Sequence, residues 1–216
     1  MAKIKACLFD LDGVLVDTAK YHFLAWRRLC NELGFDLTEE ENEELKGISR
    51  AKSLDILLNK GEIVLSNAQK EKYMAEKNEW YLEFVDEMDQ DEMLPGTKEF
   101  LYDCKESGKK IGLGTASKNA MRIIEKLGIV NLFDVIIDGT KVSRGKPDPQ
   151  TFTLGAEAIK MHPSECVVFE DSIAGIEAGI AGGMYTIGVG DSQTLKRANI
   201  VIPGFINVGL DILNDL

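Results

Sequence analysis

From residue 110 onward, short apolar runs alternate with stretches of helical period, and this alternation limits the possible folds more than any other feature. Lys110-Ile111-Gly112-Leu113-Gly114 reads as a strand, 118–127 as a helix closed by Gly128, and Val135-Ile136-Ile137 as a second strand. A helix over 149–160 follows, with Asp148 as N-cap and Pro149 at its first position. Cys166-Val167-Val168-Phe169 is the next strand and 172–181 the next helix. Two more strands, 185–189 and 200–202, precede a last helix near 207–214. Strands linked through helices make right-handed crossovers, and so a parallel sheet covered on both faces.

One further apolar run, residues 4–10, lies far upstream. Between it and residue 110 the period is helical. Phe23, Trp26, Leu29, Cys30 and Leu33 recur at spacings of three and four up to Gly34. Residues 49–60 and 67–88 follow suit, and Leu94-Pro95-Gly96 breaks the pattern. The acidic run Glu39-Glu40-Glu41-Asn42-Glu43-Glu44 reads as a solvated helix face opened by Thr38 as N-cap. The expectation is an α/β fold: a Rossmann-like, doubly wound parallel sheet core with an inserted α-helical cap domain. Residues 1–15 and 94–216 would form the core, and 16–93 the cap. In such sheets ligands bind at the carboxyl ends of the strands.

At 216 residues the chain can bury one sizeable core, or one core plus a small appended domain. Its net charge of −11 argues against nucleic acid as a partner, because phosphate neutralisation needs a basic patch. There is no apolar run of membrane-spanning length and no signal-peptide pattern at the start, so a cytoplasmic location with no membrane partner is expected. Cys7, Cys30, Cys104 and Cys166 are scattered within apolar patterns, which suits buried reduced thiols.

The chemistry concentrates at predicted strand ends. The run Ala6–Phe9 stops at Asp10-Leu11-Asp12-Gly13, whose two carboxylates at i and i+2 make an anionic pocket able to hold Mg²⁺ and to attack covalently. An Asx-type turn accounts equally well for these four residues alone. Gly114-Thr115-Ala116-Ser117-Lys118-Asn119 offers a hydroxyl and backbone amides at a helix N-terminus, suited to phosphate or to simple capping. Ser143-Arg144-Gly145-Lys146-Pro147-Asp148 fails as a P-loop, since Gly139 is one residue too distant and Pro147 replaces Ser or Thr. What remains is a lysine on a stiff turn. Gly112-x-Gly114 lacks the third glycine and the acidic partner of a dinucleotide site. Glu170-Asp171-Ser172 places adjacent carboxylates where a cation would relieve their repulsion, or where Asp171 would cap a helix.

Taken in order, Asp10-Leu11-Asp12-Gly13, Thr115-Ala116-Ser117, Lys146-Pro147 and Glu170-Asp171-Ser172-x-x-Gly175 resemble the motifs of the haloacid dehalogenase superfamily along the whole chain. The resemblance implies that Asp10 is a nucleophile forming an aspartyl-phosphate and Asp12 a general acid/base. It implies Mg²⁺ held by Asp10, the Asp12 backbone carbonyl, Glu170 and Asp171. Lys146 would neutralise phosphate charge, while the Thr115 hydroxyl and the Ala116 amide would donate hydrogen bonds. Thr115 departs from the Ser of the best-known member but keeps the hydroxyl.

The resemblance reaches into the cap, to the sugar-phosphate mutases of that superfamily. The strings are Leu45-Lys46-Gly47-Ile48-Ser49-Arg50, Asp17-Thr18-Ala19-Lys20-Tyr21-His22 with Trp26 four residues on, and Lys77-Asn78. It implies that Arg50, Ser117 and Asn119 bind a distal phosphate, and that Lys46, Gly47 and Ser53 line the sugar pocket. His22 and Lys77 would help position Asp12; Thr18, Trp26 and Lys118 count among the same pocket residues. His22, Lys46 and Arg50 are open to a blander reading as ordinary helix and surface residues. The implied enzyme is a monomeric, Mg²⁺-dependent phosphomutase interconverting β-D-glucose 1-phosphate and glucose 6-phosphate, with glucose 1,6-bisphosphate as activator. A phosphatase acting on a small phosphate monoester is the alternative, and a non-enzymatic phosphate-binding module the second.

Overall fold

A computed structural model describes residues 4–45 and 48–216. Lys46 and Gly47, both expected in the sugar pocket, lie outside the described residues.

Six strands form one sheet: β1 (Ala6–Phe9), β2 (Lys110–Gly114), β3 (Val135–Ile137), β4 (Cys166–Glu170), β5 (Tyr185–Val189) and β6 (Ile200–Ile202). All five pairings are parallel, in the order β3-β2-β1-β4-β5-β6. The N-terminal strand is therefore central, with Phe9 opposite Leu113 on one side and Phe169 on the other. Every residue of β1 is buried, as a strand covered on both faces requires.

The covering helices are α5 (Thr97–Glu106), α6 (Ala120–Lys126), α7 (Gln150–Ala158) and α8 (Ile173–Ala181). Alternation along β1 divides them. Cys7 and Phe9 face the cluster of Phe100, Leu101, Cys104, Ile123 and Ile124, contributed by α5 and α6. Ala6 and Leu8 face Phe152, Ala156 and Ala178, contributed by α7 and α8. Phe9 stacks on Phe169 at 4.6 Å between ring centroids, which fixes the sheet centre beneath the site. All four cysteines are buried and free.

Between β1 and α5 stand α1 (Ala19–Glu32), α2 (Glu39–Glu43), α3 (Arg50–Lys60) and α4 (Asn67–Glu87). They share an apolar cluster of their own built on Trp26, Leu29, Leu54 and Leu57, while Ala25, Tyr81 and Val85 join the cluster of the sheet. Thr38 caps α2 in a capping box, with its hydroxyl accepting from the Glu41 amide and the Glu41 carboxylate from the Thr38 amide. The two chain crossings into and out of this block are joined: Val16 bridges Met93 antiparallel, and the Leu94 amide donates to Leu15 O at 3.0 Å.

Four local details differ from the sequence expectation. The expected helix 118–127 begins only at Ala120, because hydroxyl-capped turns occupy the preceding residues. Pro149 is the N-cap of α7 rather than its first residue, and Asp148 one step outside still accepts from the Gln150 amide at 2.9 Å. The last element is a 3₁₀ turn, Leu210–Asp215, too short and too anchored by apolar contacts to open into an α-helix. Helix α5, anchored by Phe100, Leu101 and Cys104, has no counterpart in the sequence reading. No described helix is long and apolar enough to cross a membrane.

Candidate active site

The site grows from the carboxyl end of β1. The Asp10 amide donates to Phe169 O at 3.0 Å, extending the ladder one residue beyond the strand and holding the Asp10 side chain at the sheet edge. The chain then turns: Leu15 and Val16 amides both reach back to Leu11 O, and Gly13 adopts φ +78°. Only glycine suits that position twice over, since a Cβ there would also collide with the Asp171 carboxylate.

The neighbouring strand end supplies Glu170, fully buried at the tip of β4. Its Oε2 accepts from the Ser172 amide at 3.0 Å and the Ser172 hydroxyl at 2.8 Å. Ser172, not Asp171, caps α8, through its Oγ and the Gly175 amide. Gly175 leaves room for the Glu170 carboxylate, which a Cβ at 175 would overlap. Carboxylate oxygens of Asp10, Glu170 and Asp171 lie within 4.8 Å of one another.

Lys146, only 2% exposed, reaches into this group. Its Nζ lies 2.8 Å from Asp10 Oδ1 and also contacts Glu170 Oε1. Burial alone would lower the lysine pKa, but the Asp10 and Glu170 charges outweigh it and raise it. Asp10 is pushed up to about 6 by burial, against Lys146, with Glu170 adding to the rise. Asp12 is pushed up to about 7, first by burial and then by the Asp10 charge, with Lys146 and Lys77 opposing. One cation facing several carboxylates leaves excess negative charge, and a set of hard oxygens in that state fits Mg²⁺.

From the third strand end comes Thr115, buried, whose Oγ1 accepts from the Ser117 amide at 3.1 Å. Ser117 Oγ in turn accepts from the Asn119 amide at 3.2 Å. The Ala116 amide has no acceptor among the described residues and stays available.

The helical block adds further groups around Asp12. Thr18 donates its hydroxyl to Asp12 Oδ1 instead of capping α1. Lys77, 1% exposed, has its Nζ 2.8 Å from His22 Nδ1 and 4.5 Å from the centre of the Trp26 ring. The direction of this hydrogen bond follows the imidazole tautomer. Burial, with Arg50 adding, lowers the Lys77 pKa well below its usual value; burial, with Lys77 and Arg50 adding, does the same to His22. Arg50 Nη2 donates to Asn78 Oδ1 at 2.6 Å, and Asn119 Nδ2 donates to the same oxygen at 2.8 Å. Thus Arg50 of the block and Asn119 of the core loop converge. Ser53 is buried, with its hydroxyl on Ser49 O, and Lys118 is exposed.

Sequence reading passed over Tyr81, which stacks on His22 at 4.2 Å between ring centroids. Its signal was available: it lies four residues after Lys77 and so on the same face of α4.

The model of the haloacid dehalogenase-like hydrolase family matches residues 4–183. The chain belongs to that family. Within it, the chain is 38% identical over 214 residues to the β-phosphoglucomutase of Bacillus subtilis, covering 98% of this chain and 95% of that protein. It is 32% identical over 207 residues to the phosphorylated carbohydrates phosphatase of Thermotoga maritima, covering 92% and 93%. Among solved structures, the β-phosphoglucomutase of Clostridium difficile superposes with a TM-score of 0.95 at 40% identity, over 98% of this chain and 96% of that one. Asp10, Thr115, Lys146 and the Glu170-Asp171 pair all lie within the residues matched by the family model.

Proposed function

We propose that this phosphotransferase is a β-phosphoglucomutase, with Asp10 as nucleophile, Asp12 as general acid/base and residues 16–93 as a cap over the sheet edge. The observation that carries the choice of mutase is the convergence of Arg50 and Asn119, from two parts of the chain, on one acceptor. A phosphatase needs one phosphate site; a mutase must also grip the far phosphate of a sugar bisphosphate so that it can turn round. The similarity to two β-phosphoglucomutases supports the same reading.

Mg²⁺, held by Asp10, Glu170, Asp171 and the Asp12 backbone carbonyl, would supply charge neutralisation at the phosphoryl group. Asp10 attacks phosphorus as the sugar oxygen departs, forming the aspartyl-phosphate and breaking the sugar P–O bond. Asp12 gives that oxygen its proton, which a carboxyl pushed up to about 7 still carries in part at neutral pH. In the return half-reaction Asp12 takes a proton from the incoming hydroxyl. Lys146, the Thr115 hydroxyl and the Ala116 amide stabilise the phosphoryl oxygens. Thr18 holds Asp12, and the buried Lys77 bears on it electrostatically; His22, in contact with Lys77, helps position Asp12. Arg50, Ser117 and Asn119 take the distal phosphate; Lys46, Gly47 and Ser53 line the sugar pocket, with Trp26 and Lys118 among the substrate-binding residues. Glucose 1,6-bisphosphate phosphorylates Asp10 at the start, and the enzyme acts as a monomer.

The phosphatase relative at 32% identity favours a second reading, hydrolysis of a sugar phosphate by the same core. Both readings share one test. Asp10→Asn folds as the parent does, since burial already favours a neutral group there, and loses essentially all turnover. Substantial turnover in a folded Asp10→Asn protein overturns the nucleophile assignment.

A further inference from the structure

Asn78 lies on α4 next to Lys77, and its carboxamide oxygen is a meeting point. Two donors share that one oxygen: Arg50 Nη2 from the first residue of α3, and Asn119 Nδ2 from the loop that follows β2. Among the described residues neither donor is engaged by a carboxylate. An oxygen that accepts from a guanidinium and a carboxamide together does what a phosphate oxygen would do in the same place.

We propose that Asn78 is an internal surrogate for the distal phosphate and, through that, a specificity-determining residue. Its Oδ1 holds Arg50 and Asn119 in register while the site lacks ligand, tying α4 of the helical block to the core loop, and it yields when a phosphate arrives. The proposal rests on the assignment of Arg50 and Asn119 to the distal phosphate.

Surrogacy has a direct consequence for selection. A tethered carboxamide competes at high effective concentration. A phosphate dianion displaces it because charge-assisted hydrogen bonds are roughly twice as strong as those to neutral acceptors. A sugar hydroxyl, neutral and untethered, does not. A sugar carrying no phosphate thereby fails to take Arg50 and Asn119 from Asn78.

The test compares Asn78→Ala, Asn78→Asp and Arg50→Ala in conversion of β-glucose 1-phosphate with Mg²⁺ and a trace of glucose 1,6-bisphosphate, with melting curves confirming the fold. Asn78→Ala removes the competitor: KM falls about threefold or more, and preference for the sugar phosphate over free glucose as phosphoryl acceptor narrows. Asn78→Asp, of the same shape, installs a tethered anion on Arg50, so KM rises about tenfold or more. Opposite signs from the two variants are the signature of competition. If both variants raise KM, or neither moves it, Asn78 merely scaffolds Arg50 and the surrogate is refuted. If Arg50→Ala leaves KM at the parent value, the distal-phosphate assignment itself fails, and the surrogate with it.

Discussion

Lys146 Nζ lies 2.8 Å from Asp10 Oδ1 and touches Glu170 as well, so one buried ammonium holds together the ends of two neighbouring strands. Asp171 and Asp12 sit beside the same group, and Asp10 and Asp12 are both pushed up, to about 6 and about 7. The lysine is therefore a structural counter-ion in the metal-free protein as well as a phosphate partner in the proposed reaction.

Removing that counter-ion exposes the repulsion. Lys146→Met destabilises the metal-free protein by about 3–5 kcal/mol, the usual consequence of leaving buried charge unpaired. Mg²⁺ restores more stability to the variant than to the parent, because it meets a larger negative excess. Urea melts with chelator and with Mg²⁺ check this; equal Mg²⁺ effects on both proteins would contradict it.

Gly175 gives the acidic pair a steric test. A Cβ at this position would overlap the Glu170 carboxylate. Alanine is favoured over glycine inside a helix by about 1 kcal/mol, so Gly175→Ala on α8 would stabilise if space alone allowed. Instead Glu170 is displaced, and the Mg²⁺ concentration for half-maximal activity rises by about tenfold or more. A Mg²⁺ titration reads this, and a parent-like midpoint would show that Glu170 has no part in holding the ion.

The strand ends were legible in the sequence because a strand that stops in charged residues has few places to put them. An apolar run, a turn and the parallel topology bring Asp10, Thr115, Lys146 and Glu170 near one another, and the resemblance of their motifs in order implies their roles. Helix α5 was not legible: its buried residues Phe100, Leu101 and Cys104 follow a Pro-Gly break, which hid the new element. The start of α6 slipped because Thr115 and Ser117 cap turns with the amides of Ser117 and Asn119. Asn78, beside Lys77, carries no role legible in the sequence, since its meaning depends on two donors remote in sequence. Tyr81 shares a helix face with Lys77 and belongs to the core as well, and helical spacing alone does not separate the two roles.

The Lys77–His22 contact gives a pH dependence of definite sign. His22 is held well below its usual pKa by burial and by the Lys77 and Arg50 charges, whereas in the unfolded chain it titrates near 6.5. The stability it contributes is present above that value and is lost as pH falls below it. Asp10 and Asp12, pushed up, act in the opposite sense, favouring the metal-free fold as pH falls through about 7 and about 6. The comparison is therefore made against His22→Gln, which keeps an acceptor for Lys77 but does not titrate. Between about pH 7 and about pH 5 the parent loses more unfolding free energy than the variant. Parallel losses would mean that His22 takes up its proton in the folded state.

The most direct measurement follows the two products of one reaction. Given β-glucose 1-phosphate, Mg²⁺ and a trace of glucose 1,6-bisphosphate, the enzyme makes glucose 6-phosphate much faster than it releases inorganic phosphate. The distal grip of Arg50 and Asn119 lets the bisphosphate turn and return its other phosphate to Asp10. Inorganic phosphate dominating from the outset, with little glucose 6-phosphate, would contradict the mutase assignment and make the protein a phosphatase on the same core.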